Sequence, residues 1–371
     1  MFEISSLDPY MSNLAFCTAG KESSDIERHS SSVPAPPFPQ IYQVGPDLVW
    51  ISMGSLMRMA MYMGLHQDPN NFGHMTVKDK EIRRRLWYTI LEFNVQAALD
   101  SGISPMIQES DYNTQPPYNV SDDDVENAVQ EDFIPKNSTT ILLPSLLAKS
   151  LPLRLGVARI INSLQEETSY DHILVIGNEL AAICRNLTAA VDTNPSMSDA
   201  YPTIQFAQNY CSHLLRRFSL CLHFRYAIKA KKNAPYSHSQ KVCLEAALDL
   251  AALLEDRLYS RLLVTGGGMF RDIITRGALL IFLELAPDPE IETSNSAKRR
   301  SHARQSVLLE DARRVVQYAE DRMRHGETNV KGYEFLRMML VQAEGRFSGL
   351  LTDGDLPKSL NDGLDTCHEI L

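Results

Sequence analysis

Apolar side chains return every three or four positions along most of this chain, the period at which one face of an α-helix is buried. The first such run opens at Pro46, a residue suited to a first helical position. It carries Val49, Met53, Leu56, Met57, Ala60 and Gly64 at helical spacing. Met59, Met61 and Met63 widen the stripe, which predicts a helix buried on more than one side. Pro69 and Gly73 lie in a polar stretch that ends it. A second helix is predicted from Thr76, with Asp79 three residues on as an approximate capping box. Its buried face reads as Ile82, Leu86, Ile90, Phe93 and Ala97, extended by Trp87, Leu91 and Ala98.

Beyond Gly102 the chain is irregular as far as Pro144, with Pro105, Pro116 and Pro117 marking loops. Amphipathic segments then follow at about 144–167, 170–191, 201–231, 238–262, 268–285, 302–325 and 331–351. Strand-type alternation is rare, and no internal repeat is visible. The stretch SNSAKRRSHARQS, near 294–306, reads as a polar linker into a helix. Residues 1–45 are rich in Ser and Pro and lack periodicity, so they read as a poorly ordered lead. Residues 352–371 read as a C-terminal tail. The expectation is an all-α protein, a single large multi-helix domain over 46–351 with long loops.

Composition narrows the function. Across 371 residues, 44% are hydrophobic and 22% charged, which is ordinary for a globular protein with a substantial core. The formal charge of −10 opposes general attraction to nucleic acid, which needs clustered, uncompensated Lys and Arg. The six cysteines are Cys17, Cys184, Cys211, Cys221, Cys243 and Cys367, no two spaced as C-x-x-C. Structural zinc wants thiolates converging in short loops, so these read as single buried thiols. No apolar run reaches the ~18–20 residues that span a bilayer. A soluble, intracellular protein without cofactor or membrane contact is expected.

Several local patterns invite a chemical reading. Arg83, Arg84 and Arg85 open the second helix. Consecutive helical residues point about 100° apart and form no single phosphate clamp, so a solvated face with one arginine paired to Glu92 is the plainer reading. His66 and His74 flank Asp68, but without further converging ligands loop packing is preferred to a metal site. Asp122, Asp123, Asp124 and Glu126 form a D-D-x-x-E cluster of the kind that holds magnesium on a diphosphate. Such enzymes need a second metal-binding motif, so a solvated acidic loop is the simpler account and a Mg-dependent helical enzyme the alternative. Thr265-Gly266-Gly267-Gly268 lacks the lysine of a phosphate loop and reads as a helix–helix turn. Lys229, Lys231 and Lys232 read as a helix C-terminal cap; they and Lys298-Arg299-Arg300 are the candidate import signals. The methionines of the first helix read as core rather than as a ligand groove.

The span 57–119 resembles the middle, regulatory domain of the fungal zinc-cluster transcription factors. Gly64-Leu65-His66-Gln67-Asp68-Pro69 is similar to the family's G-L-H-R-D-P, and Glu81-Ile82-Arg83-Arg84-Arg85-Leu86-Trp87-Tyr88 to its E-x-R-R-R-L-W-W. Phe93-Asn94-Val95, Gly102-Ile103-Ser104-Pro105 and Asp111-Tyr112-Asn113-Thr114-Gln115-Pro116 follow in the family's order. The helices around LLRRFSLCLHFRYA and TGGGMFRDII extend the resemblance over about 46–350. Gln67 and Asn94-Val95 depart from the family's Arg and Asp-Arg, so an ion pair made through those positions is not carried over. The zinc cluster of relatives needs six closely spaced cysteines, and only Cys17 precedes residue 184 here. The chain is therefore expected to be either a fragment or a shortened regulator.

What the resemblance implies is a nuclear transcriptional regulator of metabolic or secondary-metabolite genes, binding rather than catalytic. Its implied partners are a second copy or a full-length zinc-cluster factor, the transcription machinery and a small-molecule effector, with no direct DNA contact from this chain. Leu86 and Trp87 are expected as core anchors, Arg84 and Glu92 as an ion pair, and His66 and Asp68 as structural loop residues.

Overall fold

The computed structural model of the chain describes residues 46–120, 125, 143–164, 168–192, 201–270, 272–286, 295–328, 330–349, 363, 366–367 and 370. The lead 1–45 and most of the tail 352–371 lie outside them. Among the described residues there are eleven α-helices and no strand. They are α1 (Pro46–Tyr62), α2 (Val77–Ser101), α3 (Leu143–Lys149), α4 (Leu151–Asn162), α5 (Tyr170–Asp192) and α6 (Tyr201–Ala227). Then come α7 (Ser237–Ala252), α8 (Arg257–Thr265), α9 (Ile273–Leu285), α10 (Asn295–Arg324) and α11 (Val330–Ser348). The all-α class is therefore as the periodicity implies.

Two helices are central. In α2 every residue from Trp87 to Leu99 except Thr89 is buried. In α6 burial is nearly continuous from Asn209 to Ala227. Helices surrounded in this way lose the one-sided pattern of a surface helix. Around α6 pack α5 and α7, followed outward by α9, α10 and α11, while α1 and α4 cover α2. One continuous apolar cluster runs from Met57 on α1 to Cys367. A small satellite of Cys184, Leu187, Cys211 and Leu215 sits between α5 and α6.

Helix ends follow local chemistry. The Thr76 hydroxyl oxygen accepts the Asp79 N–H at 3.1 Å, and the hydroxyl donates to the Asp79 carboxylate at 2.7 Å. At the other end Gly102 turns left-handed, φ 67°, and returns its N–H to Ala98. Asp256 caps α8 by accepting the Tyr259 N–H at 2.7 Å. That cap divides the predicted 238–262 helix into α7 and α8. The predicted 144–167 helix is likewise two, breaking at Ser150 just before Pro152.

Three expectations are corrected. First, α1 is buried on one side only: Met57 and Ala60 face the core, whereas Ile51, Met59, Tyr62 and Met63 are exposed. Its main neighbour among the described residues is α2, and among them nothing comparable covers its other face. Second, Ile82 is 43% exposed, because Glu81 and Arg84 take the inward positions at that turn. Third, the stretch near 294–306 is not a linker, since α10 begins at Asn295. It contains no Gly or Pro, and its Ala, Lys, Arg and Gln are strong helix formers. Its first turns carry no apolar period because they face solvent, as exposed Arg299 and Arg300 show.

Helices α5 and α6 approach closely at Gly177, where a Cβ would fall on Nε2 of the fully buried His223. Alanine is the better helix former by about 1 kcal/mol, yet Gly177→Ala is expected to destabilise the fold by ~1–3 kcal/mol through overpacking. Urea denaturation checks the sign. A stabilised variant would mean that the two helices have room to part.

Candidate functional site

The span singled out by sequence folds into a corner made of α1, α2 and the loop that leaves α2. Gly64 ends α1 in a left-handed turn, φ 70°, and Leu65 drops into the core. Asp68 then organises the corner. Its carboxylate accepts the Asn70 N–H at 2.9 Å, capping the short 3-10 turn Pro69–Asn71, and the Gln115 N–H at 2.9 Å. Arg84 donates to it from Nη2 at 3.2 Å and Nε at 3.4 Å. The Asp68 N–H donates to Asn113 Oδ1 at 2.8 Å, and the Thr114 hydroxyl donates to the Leu65 carbonyl at 2.7 Å. Burial pushes the Asp68 pKa up, but the donors from Gln115, Arg84 and Asn70 outweigh it and hold the carboxyl below its ordinary value.

The arginine triplet is spent on this corner. Arg83 donates to the Met63 carbonyl at 2.8 Å and lies over the Phe72 ring. Arg84 is 2% exposed and stacks on Tyr118, 4.9 Å from the ring centroid. Arg85 donates to Glu81 at 3.0 Å and to the Val120 carbonyl at 2.9 Å. Glu81 in turn accepts the Tyr118 N–H at 3.1 Å; burial raises its pKa. The expected solvated face is thus a set of three clamps, Arg83 on the connection between α1 and α2 and Arg84 and Arg85 reaching the exit loop. Trp87 is fully buried, edge-on to Tyr112 at 5.7 Å and 6.2 Å from the His66 ring. Leu86 is only half-buried at the core margin, so of the two expected anchors Trp87 is the one in the interior.

The expected Arg84–Glu92 pair is not formed. Eight residues on a helix separate the two by about 12 Å along the axis, too far for direct contact. Glu92 instead meets Arg154 of α4 bidentately, with both guanidinium nitrogens 2.6 Å from the carboxylate oxygens. Arg154 is 0% exposed; its Nε donates to Ser150 Oγ at 3.0 Å, its Nη2 also to the Leu147 carbonyl at 2.8 Å. Gln96 donates to Glu92 at 2.7 Å and accepts from Arg217 of α6 at 2.6 Å. Arg217 also pairs with Asp100. Glu92, Gln96 and Asp100 are four residues apart, so one face of α2 is a polar spine bound by arginines from two other helices. Sequence reasoning missed it, although that i, i+4, i+8 stripe inside an apolar helix was legible.

The remaining motifs resolve as structure. The carbonyls of Leu263 and Gly266 accept Arg322 Nη1 at 2.5 and 2.9 Å, so the glycine turn presents oxygens to a cation rather than N–H groups to a phosphate. Only Gly268 there has positive φ, 55°. Lys231 lies beyond the end of α6 and caps a different helix, donating to Ala286 at the C-terminus of α9 at 3.2 Å. Asp122, Asp123, Asp124 and Glu126 lie outside the described residues, as does Cys17. The other five cysteines are buried and in no disulfide. Among the described residues no three His, Cys, Asp or Glu are grouped to hold a metal ion, and no helix is long and apolar enough to cross a membrane.

Two buried histidines on α6 also escaped the sequence reading. His213 donates from Nε2 to the Met269 carbonyl at 3.2 Å. Burial, then the charge of Arg217, pushes its pKa down to about 3. His223 Nδ1 is 2.9 Å from Ser239 Oγ, which is itself 2.9 Å from the Tyr170 hydroxyl. Burial, then His238, lowers the His223 pKa to about 4. Both Ser239 and His223 are fully buried, while Tyr170 is partly exposed.

Comparison with known proteins gives the corner a context. Residues 44–164 match the fungal specific transcription factor domain. That span holds the corner and both members of the Glu92–Arg154 pair. The chain is 30% identical over 370 residues to Transcription factor asR3 of Sarocladium schorii, covering 90% of this chain and 43% of that protein. It is 31% identical over 352 residues to Transcription factor lepE of Aspergillus flavus, covering 88% and 41%. It is also 25% identical over 346 residues to the Aspyridones cluster regulator apdR of Emericella nidulans, covering 88% and 47%. The chain therefore spans less than half the length of each of these relatives. No solved structure matches it.

Two outcomes follow from the geometry. Arg154→Met should destabilise the fold by ~3–5 kcal/mol by stranding Glu92, whereas Glu92→Leu combined with Arg154→Met should recover most of that loss. Denaturant titration of the cycle reads the difference, and equal losses in single and double variants would deny the pairing. The histidines set a pH dependence. Below the ordinary histidine pKa of about 6.5 the unfolded chain binds protons that the folded chain refuses, so stability falls as pH drops toward about 4. Each ring contributes a slope of up to about 1.4 kcal/mol per pH unit. Urea titrations from about pH 7 to pH 5 should show that slope, flattened in His213→Gln/His223→Asn; a flat wild-type response would refute it.

Proposed function

Because this chain belongs to the fungal transcription factors built on that domain, we propose that it is a nuclear regulator of transcription controlling a secondary-metabolite gene cluster. The observation that carries the reading is the end-to-end similarity, 88–90% of this chain, to relatives two of which are named transcription factors and one a cluster regulator. The fold agrees in kind. Its buried arginines Arg84, Arg154, Arg217 and Arg322 hold helices and loops together, which suits a scaffold that binds and transmits.

DNA contact, in this reading, comes from a zinc cluster outside these 371 residues, on a longer form of the chain or on a partner chain. The sequence has no cluster of six closely spaced cysteines, and its net charge of −10 disfavours direct attraction to phosphates. The scaffold restrains or exposes an activation function through partner or effector contacts.

Deleting the gene should change the transcript levels of neighbouring biosynthetic genes, read by quantitative RNA measurement, and restoring the chain should reverse the change. Unchanged transcripts in the deletion strain would overturn the cluster assignment. Co-purification with a zinc-cluster chain from nuclear extract tests the source of DNA contact, and a lone chain bound to promoter DNA would refute it.

A further inference from the structure

Between α4, α5, α6 and α9 lies a cavity of about 230 Å³ that no part of the account above uses. Ile160 and Ile161 of α4, Ile173 of α5, and Leu222 and Phe224 of α6 give it apolar walls. Its polar groups are the guanidinium groups of Arg276 and Arg225, the Cys221 thiol and Thr168, with no carboxylate among the described lining residues. Arg225 is exposed and rests on the Tyr226 ring, 5.0 Å from its centroid. Arg276 is half-buried on α9, and its side-chain partner is Cys221, with Nη1 donating to Sγ at 3.2 Å. A thiol is a weak acceptor, and a guanidinium has five N–H donors to satisfy. One carboxylate on which Arg276's charge acts is Asp100, which is already paired to Arg217.

We propose that this cavity is a binding site for a small, apolar carboxylic acid. The ligand's carboxylate meets Arg276, with Arg225 at the mouth, and its hydrocarbon body fills the space between the isoleucines and Phe224. Each part of that description has its own cause. A planar guanidinium matches a carboxylate in a two-point hydrogen bond, which a hydroxyl or amine ligand does not reproduce. Apolar walls favour a hydrocarbon body over a sugar or nucleotide, whose polar groups would lose water without gaining partners. At roughly 30 Å³ per water, the volume suits a ligand with on the order of ten non-hydrogen atoms. Cation–anion pairing near a surface also makes the binding salt-sensitive.

The use of this site as an effector site rests on the transcriptional reading above; the binding itself does not. Isothermal titration of the full chain with octanoate, octanol and octylamine separates the two terms. Octanoate should bind, octanol about tenfold to a hundredfold more weakly, and octylamine not at all. Arg276→Gln should bring octanoate down to the level of octanol while leaving octanol unchanged, and Arg276→Lys should recover part of the difference. Circular dichroism and thermal melting confirm that each variant is folded, and Arg225→Gln gives a second, milder loss should the Arg276 variants not fold. Octanoate binding no tighter than about 1 mM, or equal binding of octanoate and octanol, would overturn the proposal. Calorimetry reads binding alone, so its failure leaves the transcript measurement standing, and the reverse also holds.

Discussion

The structure depends on a charge that has been taken out of water. Glu92 lies on α2 in the interior, and its carboxylate is acceptable there only because Arg154 meets it with two hydrogen bonds and Gln96 adds a third. Those partners arrive from different distances in sequence, so α2 and α4 are held in one register. A slip of α4 by a single residue would rotate Arg154 by about 100° and strand both charges. Arg217 extends the same constraint to α6 through Gln96 and Asp100. Backbone contact between α2 and α6 is sparse, so these long side chains form much of the seam between the two central helices.

Such a pair is weak evidence of stability, since well-packed apolar residues in its place would serve as well or better. What it supplies is direction. An apolar seam tolerates sliding between nearly equal packings, whereas a bidentate guanidinium–carboxylate contact has one geometry. The corner at Asp68 works by the same rule. There the exit loop, regular only in the 3-10 turn Glu109–Asp111, is fixed by the Gln115 N–H on Asp68, the Arg84 fork and the Thr114 hydroxyl. A loop of that length would otherwise carry a large ordering cost.

The helical class and the main segments were legible because apolar periodicity reports burial directly. The Thr76 cap was legible because its chemistry is local, needing only a hydroxyl and a carboxylate three residues apart. What could not be read were pairings set by tertiary geometry. Glu92 lies eight residues from Arg84 and sixty-two from Arg154, and only the folded path shows which is near. The exposure of Ile82 has the same origin, because the loop covering that turn of α2 brings Tyr118 to Glu81 and Arg84 instead. For α10 the pattern misled in the opposite sense: its first turns are helical by propensity alone, with no buried stripe to announce them.

The arginines carry a further consequence for how this scaffold responds to its surroundings. Arg84, Arg154, Arg217 and Arg322 are all buried and each is matched to a carboxylate. Arg276 departs from that rule, having a thiol where the others have an acid. Its charge sits close enough to Asp100 to act on it, and Asp100 is the last member of the α2 spine. An anion placed on Arg276 would cancel part of the positive field that steadies the Asp100 carboxylate. The electrostatic balance of the spine and the occupancy of the cavity are therefore linked through one residue, and linkage of that kind is reciprocal. Tightening the Arg217–Asp100 contact must strengthen or weaken anion binding by the same factor as the anion strengthens or weakens that contact.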